Sequence, residues 1–497
     1  MMRSLYSGVA GLKTHQTKMD VIGNNIANTN TVGFKSSSVN FSDTFYQTIS
    51  SASGANAQTG TAGTNAKQIG LGSMVASITT NITEQGGPST TNRALDVAIN
   101  GESFLVVRSG TDTCFTKSGA LNVDEAGNLY CTTNGATVQG WLPDPVTGNI
   151  VKDTVKDLVV MSADNMYYEP EATGAVTMSG NIDPNDEDVD ATTGKGEVMT
   201  FSFFDQMGNE YMAKFTIKKS AANSSVYNVS LADIYDSNSE SVFVSKQADG
   251  TYKASGAGFK INGTAITVAD TNVNKDTGEL TMADNKFTLT FNSVTGEFTS
   301  VDSPTAPTTG DKSWVGKAMV LEVTNIKGSA TPVPAYTSAT GTGGIKVYFD
   351  SLTQYSQGGT SKITYAKGDH DNLNTGNKAG KMKGLSIDQE GKIWGNYDNG
   401  MQKCLAQMAV ATFANPSGLE SKGNSLFMAT LNSGEFDGVG EEISLSGSFT
   451  VGALEMSNVD LANEFTQMIT TQRGFQANSR IITTSDSMLE ELVNLKR

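Results

Sequence analysis

The two ends of the chain carry matching apolar columns with a seven-residue repeat. At the N-terminus the column is Leu5, Leu12, Met19 and Ile26, with Val9 and Ile22 beside it. At the C-terminus it is Leu461, Met468, Phe475, Ile482 and Leu489, flanked by Phe465 and Val493. A sustained column at this spacing needs a partner helix, because a lone helix leaves the stripe in water. Columns at both ends of a 497-residue chain predict that the ends meet each other or meet copies of themselves. The competing reading packs each helix on its own domain. The pattern fits a subunit that polymerises through its termini better than it fits an enzyme.

Almost everything between the ends reads as β-structure. Residues 1–28 form one helix that runs into an Asn-rich terminus, Asn24-Asn25-Ile26-Ala27-Asn28, and a turn through Gly33. Asn tolerates left-handed backbone and bonds helix ends through its short amide. Residues 36–90, rich in Ser, Thr, Ala and Gly, read as an extended connector. From Leu95 short strands alternate with turns such as Asn134-Gly135, closing at Val138–Trp141. Residues 146–355 form a second β-rich region whose strand spacing fits a sandwich or barrel. The proline-dense stretch 302–334 in it is a sub-boundary or a long loop. After about Gly358 the chain returns to the first β-region, and a final helix occupies about 454–496. The expected architecture is mainly β with α-helical coiled-coil termini and nested, discontinuous β-domains. A terminal helical domain (1–35 and 454–497) carries the connector (36–90), an inner β-domain (91–145 and 356–453) and an inserted outer β-domain (146–355).

Composition narrows the function. With 35 Lys plus Arg against 51 Asp plus Glu, the net charge of −16 disfavours nucleic acid and anionic membrane surfaces. No segment approaches the ~20 apolar residues that span a bilayer, so no membrane insertion is expected. The N-terminus shows no cleavable signal peptide, since His15, Gln16 and Lys18 interrupt any apolar run. Three cysteines, Cys114, Cys131 and Cys404, are too few for a disulfide framework. Cys114 and Cys131 lie on neighbouring predicted strands and either pair or serve as small buried side chains. His15 and His370 form no nucleophile–base arrangement with Cys or Ser, and no zinc or phosphate-loop motif occurs. Asp183–Asp190 lacks the glycine and terminal glutamate of a calcium loop and reads as a solvated acidic turn. No catalytic, cofactor or metal residues are assigned. An adhesin or carbohydrate-active enzyme would cluster its aromatics, whereas Trp141, Trp314 and Trp394 are scattered.

Ala10-Gly11, Met19–Asn28 and Thr31-Val32-Gly33-Phe34-Lys35 resemble the N-terminal signature of the bacterial flagellar rod and hook axial proteins. Leu454–Leu461 and Gln472-Arg473-Gly474-Phe475-Gln476-Ala477-Asn478 resemble that family's C-terminal signature. Leu95–Gly101, Val138–Trp141, Tyr397–Gly400 and Phe413–Leu419 follow in family order. Rod members are much shorter, and the 146–355 insertion resembles the outer domain of hook-type members. One departure is local: Glu102-Ser103-Phe104-Leu105 stands where the family has a Gly-Phe-Phe run.

The resemblance implies a tubular homopolymer with terminal helices lining a central channel and β-domains outside. It also implies motif roles for Asn24, Asn25, Asn28, Gly33, Asn458, Gln472, Arg473 and Asn478. The implied partners are copies of the chain, the flagellar rod, the hook cap, the hook–filament junction proteins and the export apparatus. The implied location is extracellular. The implied alternative is a distal rod protein with an enlarged insertion. Gln472, Ser479 and Asp486 in the C-terminal seam and mid-helix Gly474 read as weak points that let subunit contacts shift.

Overall fold

A computed structural model describes residues 2–54, 60, 62–145, 147–220, 223–280, 286–302, 315–324 and 344–495. The chain is mainly β with a long helix at each end: α1 (Met2–Ala27), a one-turn α2 (Ile443–Ser446) and α3 (Leu461–Asn494). It divides into two units. The first comprises Met1–Met166, Met382–Asn396 and Gln402–Arg497, and the second Tyr167–Lys381 and Tyr397–Met401. No described helix is long and apolar enough to cross a membrane.

In the first unit the stretch read as a connector is folded into strands. β1 (Ser37–Asp43), β2 (Tyr46–Ser50), β3 (Lys67–Gly70), β4 (Ser73–Thr80) and β5 (Pro88–Thr90) follow one another. β1 pairs antiparallel with β4 through a bulge at Asn40/Phe41, and β2 pairs with β3. Hydroxyl pairs line the β1–β4 ladder, Ser37–Thr80 at 3.3 Å and Ser38–Thr79 at 3.0 Å. β5 pairs with Ala453–Glu455, and β6 (Val97–Gly101) with Gly447–Val451. Residues far apart in sequence are thereby brought side by side.

The inner sheet of this unit is built around Phe104–Ser109, paired with Asp112–Thr116 and with Thr137–Trp141; the latter strand pairs with Gln402–Met408. Alternation along a strand sends successive side chains to opposite faces. Leu105 and Val107 join one core with Leu121, Leu129, Val138, Ile393, Met408 and Phe449. Phe104 and Val106 join another with Phe115, Trp141 and Phe427. Cys114 and Cys131 share the first core as free thiols, so the sulfurs act as small buried groups and do not pair.

The second unit holds two sheets over one core. One is the antiparallel series Glu197–Phe204, Glu210–Ser220, Asn223–Asp236, Lys286–Phe291 and Phe298–Val301. The other runs Thr264–Thr267, Gly258–Ile261, Ala318–Thr324, Ile345–Thr353, Ala175–Asn181 and Lys362–Lys367, with Ala175–Asn181 parallel to Ile345–Thr353. Phe201, Phe215, Tyr227, Phe243, Phe259, Phe287 and Phe349 fill the space between them. Asp183 is buried here, not solvated: its carboxylate accepts main-chain N–H groups of Asn185, Gln357 and Gly359.

The unit boundaries at 166/167 and 381/382 lie beyond the expected 145/146 and 355/356. Lys156–Asp157 still pairs with the inner strand Thr137–Trp141, and Leu158 and Val160 lie in the inner core. Lys362–Lys367 stays with the outer unit by pairing with Ala175–Asn181. Pro304, Pro307, Pro332, Pro334 and Trp314 lie outside the described residues.

Candidate functional site

α3 starts at Leu461, seven residues later than expected. Residues 453–455 are held in a strand by β5, and Asp460 then caps the helix. Its carboxylate accepts the N–H groups of Ala462 (2.9 Å) and Asn463 (3.3 Å), two of the donors a helix start leaves unpaired. α1 ends where the Asn28 amide donates to the Asn24 carbonyl (2.9 Å) and side chain (3.0 Å), and Thr31 donates to Asn28 Oδ1.

The two helices meet each other, antiparallel. Ser4 lies beside Ser485, Gly8 against Ile482, Gly11 against Asn478 and His15 against Gly474. The last turn of α1 reaches the first turn of α3, where Asn25 Nδ2 donates to Glu464 Oε1 at 3.0 Å. Small residues allow this close approach. A methyl group on Gly11 would lie 2.7 Å from the Asn478 amide nitrogen, and one on Gly474 would lie 2.6 Å from the His15 ring. Gly474 is therefore a contact surface for α1 as well as a weak helix former.

The buried line of α3 is polar. Glu464, Thr471 and Ser485 are buried, with half-buried Asn478 completing the same seven-residue spacing. On α1 the buried residues are Gly8, Gly11, Thr14, Ile22 and Asn25. The predicted apolar column sits on the flank of this contact. Leu5, Leu12, Met19, Ile26, Met468, Ile482 and Leu489 are half-buried, whereas Leu461 and Phe475 are 40% and 37% exposed. Phe465, Ile469 and Val493 are more exposed still, at 50%, 58% and 68%. Gln472 and Arg473 are exposed; Arg473 reaches Gln476 of its own helix. The heptad period is as read, but the face turned to α1 is the neighbouring column of small and polar residues. Bulky side chains would hold the helices apart. The repeat Glu464-Thr471-Asn478-Ser485 was the available sequence signal for this face.

The Asn-rich turn ties both helices to the strands. Asn25 donates to the Ser37 carbonyl (2.8 Å) and accepts the Ser37 N–H (3.0 Å), in addition to its bond with Glu464. Asn458 accepts the Ser36 N–H (2.7 Å) and donates to the carbonyls of Asn81 (2.9 Å) and Glu84 (3.1 Å). Gly33, at φ 66°, donates its N–H to the Glu455 carbonyl at 2.8 Å. The β1–β4 ladder lies along α1, with Phe41 edge-on to His15 at 5.6 Å. His15 Nδ1 is buried with no hydrogen-bond partner, and burial lowers its pKa, helped by Lys18. Sequence reasoning did not single out Glu464, Thr471 or Ser485, and placed His15 only on the helix. The described residues contain no group of three or more His, Cys, Asp or Glu side chains able to hold a metal ion.

A family model described as flagella basal body rod protein matches residues 5–35, and one described as flagellar basal body rod FlgEFG protein C-terminal matches residues 450–495. These spans enclose both apolar columns. The flagellar hook protein FlgE of Borreliella burgdorferi is 34% identical over 509 residues, covering 100% of each chain. That of Treponema pallidum is 32% identical over 510 residues with the same coverage. The flagellar basal-body rod protein FlgG of Bacillus subtilis is 27% identical over 498 residues, again covering 100% of each. A rod-named relative of this length corrects the expectation that rod members are much shorter; identity, not length, separates the two readings. With both ends and the intervening β-regions aligned at more than 30% identity, the chain belongs to the flagellar hook protein family and is a structural subunit of the bacterial flagellar hook.

Proposed function

We propose that the chain polymerises through its paired terminal helices into a curved, flexible tube that passes torque from rod to filament. The observation that carries this reading is the apolar surface left over after α1 and α3 pair. Helix geometry places Leu461, Phe465 and Phe475 on one flank of the polar contact line and Ile481 and Met488 on the other; all five are at least 37% exposed. Neighbouring copies cover these flanks in the polymer. A polar contact line between helices gives register without strong adhesion, which suits contacts that shift as the tube rotates. The role is mechanical, not catalytic. Its partners beyond further copies are the rod, the hook cap, the hook–filament junction proteins and the export apparatus. The subunit reaches the cell exterior through that apparatus.

The test is Phe465→Ser with Phe475→Ser in a strain lacking its own copy. Fully burying a phenylalanine side chain contributes about 1.5–3 kcal/mol, and these rings have 50% and 37% of their surface left to cover, so basal bodies are expected to show complete rods with fewer hooks. The secreted subunit should still fold with at most a modest fall in melting temperature, since both rings are partly exposed in it. Normal hooks would contradict the reading. Truncated rods would favour the rod alternative, which the full-length match to a rod-named relative supports.

A further inference from the structure

Between the strands and the two helices lies a buried cluster of charge that the helix pairing does not use. Lys35 Nζ meets Glu455 Oε1 at 2.7 Å, with the two side chains 1% and 3% exposed. The same ammonium donates to the Glu84 carbonyl at 2.7 Å, and Glu455 Oε1 also accepts the Gly86 N–H at 3.1 Å. Lys117 is buried alongside, donating to the Gly101 carbonyl at 2.7 Å over the Phe104 ring at 5.0 Å. Its pKa is pushed down to about 8, by burial first and by Lys35 as well, while Glu455 and Glu102 pull the other way. The charged groups facing one another are thus Lys35 and Lys117 with Glu455, and Glu102 beside Lys117. Lys35 follows the turn that ends α1, and Glu455 precedes the cap that starts α3.

We propose that Glu455 is a positioning residue for assembly: paired with Lys35, it fixes the direction in which both terminal helices leave the inner β-sheet. A buried ion pair is a poor source of stability, because desolvation offsets the attraction, but it tolerates few geometries. The main-chain bonds support the same role. Gly33 donates to the Glu455 carbonyl and Gly86 to its carboxylate, so one residue orients the end of α1, the approach to β5 and the start of α3. Without its charge, the buried Lys35 ammonium keeps the Glu84 carbonyl but loses its counter-ion.

The inference rests on assembly through the terminal helices, and its test separates the two. Glu455→Gln, in the full chain and in a strain lacking its own copy, is expected to lower hook number about tenfold or more at pH 7, because an unpaired buried charge is costly. The Phe465→Ser/Phe475→Ser defect would not be relieved by any change at Lys35. The double variant Lys35→Met/Glu455→Met removes both charges; it should restore hook number and give hooks of altered curvature. Parental hook number in Glu455→Gln, no recovery of hook number in the double variant, or parental curvature in the double variant would overturn the proposal.

Discussion

Gly33→Ala is expected to abolish hook formation. At φ 66° a side chain costs about 1–2 kcal/mol in the left-handed region. The added methyl would also lie 2.9 Å from the Ser118 nitrogen and 3.0 Å from the Lys117 carbonyl carbon. These are backbone atoms of the segment just after the strand Asp112–Thr116, so the turn itself must move, at a further cost of about 1–3 kcal/mol. The movement breaks the bond from Gly33 N–H to Glu455 and tilts α1 away from α3. Gly23→Ala is the control. Its methyl meets nothing within 4 Å on an exposed helical position, so it should leave assembly intact and stabilise α1 by up to about 1 kcal/mol. Electron microscopy of basal bodies reads both. Normal hooks from Gly33→Ala would show that seating the turn on the sheet is dispensable.

Asn458→Ala is expected to be nearly as damaging. One amide satisfies the Ser36 N–H and the carbonyls of Asn81 and Glu84. Losing three such bonds at roughly 1 kcal/mol each frees the segment that leads into the α3 cap. Asn458→Asp is the sharper variant. It keeps an acceptor for Ser36 and places a carboxylate against two carbonyl oxygens, so it should assemble no better than alanine. Isolated hooks, where any form, should dissociate at a lower temperature than the parent's. A dissociation temperature equal to the parent's in both variants would show that this amide contributes nothing to the assembled state.

Several features were legible from residue pattern alone. The apolar run Phe104–Val107 and the alternation in Val198–Phe204 mark strands, and the Asn-rich run marks the end of α1. What was hidden depends on distant partners. The strand at 453–455 looks like the start of a helix until β5 is beside it. The β1–β4 ladder mixes serine and threonine hydroxyl pairs with the apolar pairs Val39–Ile78 and Phe41–Val75, so the sequence shows some alternation around Met74–Ile82 but not the pairing. The helix contact followed the same logic. Hydrophobicity points to Leu461-Met468-Phe475, whereas close approach selects Gly8, Gly11, Thr471 and Gly474, whose value lies in their small size. Lys35 and Glu455 are 420 residues apart, and nothing local marks either as buried.

The central claim is that the flanks of α3 are covered by other copies of the chain in the hook. Amide hydrogen exchange across 461–494, compared between the full-length free subunit and isolated hooks, tests it most directly, since protection reports the free energy of local opening. The account predicts rapid exchange in the free subunit, where a single polar contact line holds the helix, and protection by several orders of magnitude in hooks. Equal exchange in both states would mean that no neighbour covers this helix, and would contradict assembly through the paired ends.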